Sequence, residues 1–303
     1  MRSIRTSRPP RPRRSALSVP AINERALSKA LALDADVLIL DLEDSVAEEK
    51  KAQARDNLKR WFEAAGERSQ GPERVIRVNA QDSRHHEADL RLVLACRPDA
   101  VLLPKVESPR EVLDTADRLA ERDGMEAMRI WAMIETPKAV LNAGLIAEAA
   151  HTPDARLEAF VIGLNDLRKE TGVLPSPGRA PLVPWMMQVL LAARAYGLDI
   201  LDSVGNDFRD LPAFEAECAQ GRAMGFDGKM LIHPAQIEPA NRAFGPSPQA
   251  LEEARAIVAA FADPAASGLG VLSIGGRMVE RLHLEEARYL IATQDQIDRR
   301  KQA

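Results

Sequence analysis

Trp131-Ala-Met-Ile-Glu-Thr-Pro137 decides the fold. Its apolar residues run without a polar break, so both faces of the strand they predict are buried, as in a parallel sheet covered by helices. Glu135 stands where that strand emerges, and Pro137 opens a helical pattern over 138–150. Phe160-Val-Ile-Gly-Leu-Asn-Asp-Leu167 repeats the form, with Asp166 at the exit. Two hard carboxylates at neighbouring strand ends suit a divalent cation such as Mg2+.

Outward from these two runs, strand-length apolar segments alternate with helical ones. Ser15-Ala-Leu-Ser-Val19 precedes a helix over 24–33, Val37-Leu-Ile-Leu-Asp-Leu42 one over 48–64, and Val75-Ile-Arg-Val78 one over 87–95. Ala100-Val-Leu-Leu-Pro104 precedes 110–121. The run at 160–162 leads through a long loop to a helix over 183–195. Ile200-Leu-Asp202 precedes 211–224, and Lys229-Met-Leu-Ile-His233 precedes 236–244. Eight such units predict an α/β protein of the (β/α)8 barrel type, which usually takes about 250 residues. An open doubly wound sheet is disfavoured, because no Gly-x-Gly-x-x-Gly follows the first strand. After Phe244 the pattern changes. Pro246 and Pro248 break the chain, a helix is expected over 249–261, a hairpin over 271–279 and a last helix over 284–297. The expected domains are therefore a disordered basic tail over 1–13, a barrel over 14–245 and a helical and hairpin extension over 246–303, serving as lid or oligomer arm.

Composition sets the class. The 303 residues are 46% apolar and 28% charged, with a formal net charge of -4, which argues against a general nucleic-acid binder. No apolar run reaches the length of a membrane span. Arg2, Arg5, Arg8, Arg11, Arg13 and Arg14 alternate with Pro9, Pro10 and Pro12. No apolar core follows, so this is not a secretory signal, and the prolines oppose the amphipathic helix of a transit peptide. Cys96 and Cys218 are far apart and predict neither a disulfide framework nor a thiolate metal site. A cytoplasmic setting is expected.

In such a barrel the reactive groups sit at the carboxyl ends of the strands. Those positions hold Pro20, then Asp41, Glu43 and Asp44, then Arg77 and Asn79, followed by Lys105, Glu135, Asp166, Asp202 and His233. Taken singly, Glu135 reads as a helix-start acid and Asp166 as a turn residue; paired on adjacent strands, they read as metal ligands. The close acids Asp41, Glu43 and Asp44 need a compensating cation, a hydrated Mg2+ with Lys105 or Arg77. Arg77, between apolar neighbours, needs a partner: a substrate carboxylate held bidentately, the Asp41–Asp44 group, or both. Lys105 is better placed for charge balance than for a Schiff base. His233 is open between a structural hydrogen bond and a general base. Gly163 and Gly205 follow strands and are expected to let a ligand approach the backbone.

The ordered set resembles the HpcH/HpaI aldolase superfamily, in its citrate lyase β-subunit-like branch. The resemblance rests on Arg14-Ser-Ala-Leu-Ser-Val-Pro20, Asp41-Leu-Glu-Asp44, Arg77-Val-Asn79, Leu103-Pro-Lys105 and Ile134-Glu-Thr136. Gly163-Leu-Asn-Asp-Leu167, Gly225-Phe-Asp-Gly-Lys-Met-Leu-Ile-His-Pro-Ala-Gln236 and Phe244-Gly-Pro-Ser247 extend it. It implies a Mg2+-dependent carbon–carbon lyase acting on citryl-, malyl- or citramalyl-CoA, usually trimeric; a homotrimer or hexamer is expected. It implies Glu135 and Asp166 as metal ligands and Glu43 and Asp44 on metal-bound waters. Arg77 is implied on the substrate carboxylate, with Arg14, Lys105 and Gly163 beside the substrate. Alternatives on the same scaffold are a malyl-CoA thioesterase and a metal aldolase acting on a free 2-oxo acid. Malyl-CoA lyase-like members carry Gly-Lys-Met-Ile-Asp-x-Pro in the extension, its Asp serving a neighbouring subunit as acid/base. Here Gly276-Arg-Met-Val-Glu-Arg-Leu282 stands instead, so Glu280 is either that acid one methylene longer or an exposed hairpin acid.

Overall fold

The computed structural model describes residues 9–66, 71–121, 127–264 and 268–302. Eight parallel strands close into a barrel in sequence order. They are β1 (Ser15–Pro20), β2 (Val37–Asp41), β3 (Glu73–Arg77), β4 (Ala100–Leu103), β5 (Arg129–Ile134), β6 (Leu157–Ile162), β7 (Asp199–Asp202) and β8 (Gly228–Leu231). Closure is made by β1 on β8, in the register Ser15 to Lys229 and Leu17 to Leu231. Helices α1 (Glu24–Ala30), α2 (Lys51–Ala65), α3 (His86–Cys96), α4 (Pro109–Ala120) and α5 (Pro137–Glu148) follow the first five strands. The sixth connection holds both α6 (Leu164–Thr171) and α7 (Val183–Ala195), and α8 (Leu211–Met224) and α9 (Ile237–Phe244) complete the ring.

Strand alternation builds two cores. Val37, Ile39, Val75, Trp131, Met133 and Val161 pack with one another inside the barrel. The residues between them, such as Leu38, Leu40, Ile76, Ala132, Ile134 and Phe160, meet the helices outside. The amino-terminal end of the barrel is closed by charge. Arg13 donates to Glu73 at 2.8 Å from both Nε and Nη2 and to Asp199 at 2.7 Å, and it also reaches Glu158. Its guanidinium lies 4.6 Å from the Trp131 ring centroid. Burial opposes the Arg13 charge, but the surrounding carboxylates override it and hold its pKa well above the usual value.

Arg13–Phe244 form one compact unit, and Gly245 onward belongs to a second. Residues 1–8 of the expected tail lie outside the described residues. Arg13, expected in that tail, is instead a buried part of the barrel, because three acids facing the strand starts require a cation. The second unit contains α10 (Pro248–Ala262), the hairpin β9 (Val271–Ile274) and β10 (Arg277–Glu280), and α11 (Arg281–Gln302). Gly275 and Gly276 both take positive φ, 56° and 79°, as a two-residue hairpin turn requires. Among the described residues no helix is long and apolar enough to cross a membrane.

Candidate active site

Inward parity continues past the strands and selects the side chains of the mouth. Trp131 and Met133 face inward, and Glu135 follows in the same parity; Val75 leads to Arg77 and Ile39 to Asp41. Asp41 is fully buried and held by Arg77 through Nε to Oδ1 and Nη2 to Oδ2, both at 2.7 Å. Burial works to raise the Asp41 carboxyl, but Arg77 prevails and holds it below the ordinary value. Asp41 also accepts the Glu43 and Ser45 N–H groups, which fixes the turn after β2.

That turn presents Glu43. Its Oε1 accepts from Lys105 Nζ at 2.6 Å. Its Oε2 is buried without a hydrogen bond, although Arg77 Nη1 stands 3.2 Å away. Lys105 adopts φ of 52°, the left-handed region that a non-glycine residue enters at a cost. It donates its backbone N–H to Glu135 Oε1 at 2.8 Å, so one residue ties down both carboxylates. Asp44 is exposed, with its Oδ1 3.7 Å from Lys105 Nζ.

Glu135 is 1% exposed. Burial first, then the neighbouring charge of Glu43 and a smaller push from Asp166, raise its carboxyl to about 8 against the pull of Arg77. Among the described residues no group of three His, Cys, Asp or Glu forms a metal cage by itself. Mg2+ needs less, since it commonly keeps several waters and takes one or two carboxylates. Glu135 and Asp166 would supply two, and a cation between them would relieve the repulsion that raises the Glu135 carboxyl. The unsatisfied Glu43 Oε2 is a further acceptor for water. The residues present therefore fit a hydrated divalent ion.

Gly163 explains how Glu135 is accommodated. A Cβ at that position would lie 2.4 Å from Glu135 Oε2 and 2.5 Å from Glu135 Cβ. The close approach expected of a ligand at Gly163 is thus made by Glu135 itself, and at Gly205 by the Phe214 ring, 2.8 Å from a built Cβ. Gly163→Ala is expected to push Glu135 aside. It should cost about 1–3 kcal/mol of stability by overpacking and weaken divalent-cation binding, both readable by thermal unfolding with and without the ion.

Several expected site residues stand elsewhere. Arg14 precedes β1 and pairs with Asp36 through Nε at 2.8 Å and Nη2 at 2.9 Å, at the barrel end opposite Glu135. It is a structural ion pair rather than a substrate contact, because the residue before a strand lies at the amino-terminal rim. Asp202 has the outward parity of Ile200 and enters a buried ion cluster. Arg179 Nη1 lies 2.8 Å from both its oxygens, and Lys229 Nζ 3.0 Å from Oδ2. His233 caps a short turn, its Nδ1 accepting from Ala235 N–H at 3.1 Å, and stacks on Phe208 with centroids 4.4 Å apart. Glu280 ends β10 in the second unit, where its N–H donates to His283 Nδ1 at 3.0 Å. Asp166 is not at the strand exit but in the first turn of α6, which it stabilises as an acid.

Lys51 escapes a reading of the sequence. Its buried Nζ donates to the Leu42 and Glu43 carbonyls at 2.8 and 2.7 Å and to Asn79 Oδ1 at 2.7 Å. Asn79 donates from its backbone and side chain to Asp89, which pairs with Arg55. In Glu48-Glu49-Lys50-Lys51 the lysine looks solvated, and only the helical face it occupies distinguishes it.

Residues 14–234 match the HpcH/HpaI aldolase/citrate lyase family. The chain is 44% identical over 288 residues to a (3S)-malyl-CoA thioesterase of Cereibacter sphaeroides, covering 94% of this chain and 96% of the relative. It is 33% identical over 287 residues to the mitochondrial citramalyl-CoA lyase of Homo sapiens, covering 91% of this chain and 84% of the relative. Among solved structures, CitE of Mycobacterium tuberculosis in complex with magnesium, acetoacetate and coenzyme A aligns with a TM-score of 0.71 at 30% identity. That alignment covers 92% of this chain and 97% of the other. With a match that spans the barrel and includes both Glu135 and Asp166, the chain belongs to the HpcH/HpaI aldolase/citrate lyase family.

Proposed function

We propose that this member of a lyase family is a Mg2+-dependent enzyme acting on the CoA thioester of a short 3-hydroxy acid that bears a second carboxylate, of the malyl-CoA and citramalyl-CoA kind. The observation that carries the reading is the convergence of Glu43 and Glu135 beside Arg77 and Lys105 at the carboxyl ends of the strands, with the Asp166 charge near enough to raise the Glu135 carboxyl. Glu135 and Asp166 would hold the ion, which when bound polarises the hydroxyl and carboxylate of the substrate.

The chain's own groups account for the rest. Asp41 fixes the Arg77 guanidinium by two hydrogen bonds and leaves Nη1 beside the Met133 sulfur at 3.7 Å and Glu43 Oε2 at 3.2 Å. Nη1 is thereby oriented to donate to the substrate carboxylate and fix the reacting geometry. Glu43 Oε2, buried and without a hydrogen bond, is the acceptor for the proton that leaves the nucleophile. Lys105 holds Glu43 and Glu135 in place throughout.

Two bonds of such a substrate can break. Hydrolysis takes the thioester carbon–sulfur bond: water adds to the carbonyl and loses its proton to Glu43, which passes it to the sulfur as the carbon–sulfur bond breaks, so that coenzyme A leaves as the thiol. The 44% identity to a malyl-CoA thioesterase favours this outcome, and so does Glu280 in place of the lyase-like Asp. Carbon–carbon cleavage is the second reading, supported by the citramalyl-CoA lyase at 33% identity. There the hydroxyl proton goes to the base, the bond between the α and hydroxyl carbons breaks, and the thioester enolate takes a proton back from the base as it leaves. A cytoplasmic trimer or hexamer belongs to the same reading.

The test is product analysis by mass spectrometry on malyl-CoA, with Mg2+ or with EDTA. Free CoA and malate are expected, dependent on Mg2+. Acetyl-CoA and glyoxylate would establish the lyase instead. No turnover of any CoA ester in a panel, with cleavage of a free 2-oxo acid, would overturn the thioester reading.

A further inference from the structure

The first turn of α6 has no cap of its own. Its N-cap residue is Gly163, which has no side chain to offer, and a Cβ there would strike Glu135. The start of a helix leaves N–H groups that must find acceptors elsewhere. Here the acceptor comes from the next strand. Ser203, immediately after β7, accepts the Leu164 N–H at Oγ at 3.0 Å. Ser203 is itself held by its N–H, which donates to Asp202 Oδ1 at 2.8 Å. Asp202 is held in turn by Arg179, which bonds both its oxygens, and by Lys229, and all four residues are buried.

A second tie reaches the neighbouring residue. Asn165 Nδ2 donates to Asn206 Oδ1 at 3.0 Å, and Asn206 Nδ2 donates back to Asn165 Oδ1 at 2.8 Å. The two ties thus hold Leu164 and Asn165, the two residues before Asp166. The β7 loop thus reaches α6 twice within four residues of sequence, Ser203 to Asn206.

We propose that Ser203 and Asn206 are positioning residues for Asp166: they set the carboxylate of α6 against Glu135 so that the pair can share one cation. The inference rests on the metal reading given under the proposed function. Neither residue touches the ion. Asp202, with Arg179 and Lys229, is the rigid support from which Ser203 acts. Groups that orient metal ligands typically change affinity by about 10- to 100-fold when removed.

The experiment uses the full chain and Mn2+ as the probe, with free Mn2+ read by electron paramagnetic resonance. Ser203→Ala is expected to weaken Mn2+ binding by at least about tenfold, and Ser203→Thr, which keeps the hydroxyl, to restore it. Asn206→Ala weakens binding in the same direction, and the double variant more than either. Circular dichroism checks folding; if Ser203→Ala does not fold, the exposed Asn206→Ala decides alone. Wild-type affinity in the folded variants would overturn the proposal while leaving the metal reading intact. A wild-type chain that binds no Mn2+ would overturn both.

Discussion

Glu135→Gln is expected to lose Mg2+ binding and about a thousandfold in kcat/KM while the barrel stays folded. A metal that polarises substrate oxygens supplies several kcal/mol of transition-state stabilisation, and each ~1.4 kcal/mol is tenfold in rate. Gln keeps the size of the side chain and an oxygen for the Lys105 N–H, so the geometry of the turn survives. It removes a charge that is 1% exposed and faces Glu43. In Mg2+-free buffer above about pH 8, where the parent's Glu135 is ionised, the variant should therefore melt at a higher temperature than the parent, the usual trade between stability and function at a strained site. Added Mg2+ should stabilise the parent and leave the variant unmoved, because only a state that binds the ion gains from it. Calorimetric titration and thermal unfolding check both halves. A Gln variant that binds Mg2+ as tightly as the parent would remove Glu135 from the ligand set.

The barrel was legible because strands buried on both faces leave unbroken apolar runs, as Trp131–Ile134 does, while the helices between them keep polar faces. Which strand-end residues share the mouth was legible only where parity was applied. Asp41 and Arg77 follow inward residues and meet there; Asp202 follows the outward Ile200 and pairs with Arg179 and Lys229 instead. Arg14 was misplaced for a related reason: a residue before a strand and one after it lie at opposite ends of the barrel, whatever their chemistry. Helix α6 was hidden because only Leu164 and Leu167 of its eight residues are buried, too few to show a period. Gly172, with φ of 72°, stops it after two turns. The Gly163 reading identified a close approach but not its occupant, since the nearest atoms come from a side chain 28 residues earlier in the chain.

Arg77→Met separates the two roles that a buried arginine can combine. The substitution leaves the fully buried Asp41 without its bidentate partner. Removing one member of a buried pair costs about 3–5 kcal/mol, because the remaining charge keeps its desolvation penalty and loses its attraction. Urea unfolding should show that loss. Adding Asp41→Asn removes the stranded charge and keeps an oxygen for the Glu43 N–H, now 2.9 Å from Asp41 Oδ1. The double variant should recover most of the stability, with a large coupling between the two sites. It should not recover activity if, as proposed, Nη1 donates to the substrate carboxylate, because neither Met nor Asn can replace a planar fork. Activity that returned together with stability would reduce Arg77 to a partner for Asp41. Stability that returned while KM stayed high would place the remaining donors of Arg77 on the substrate.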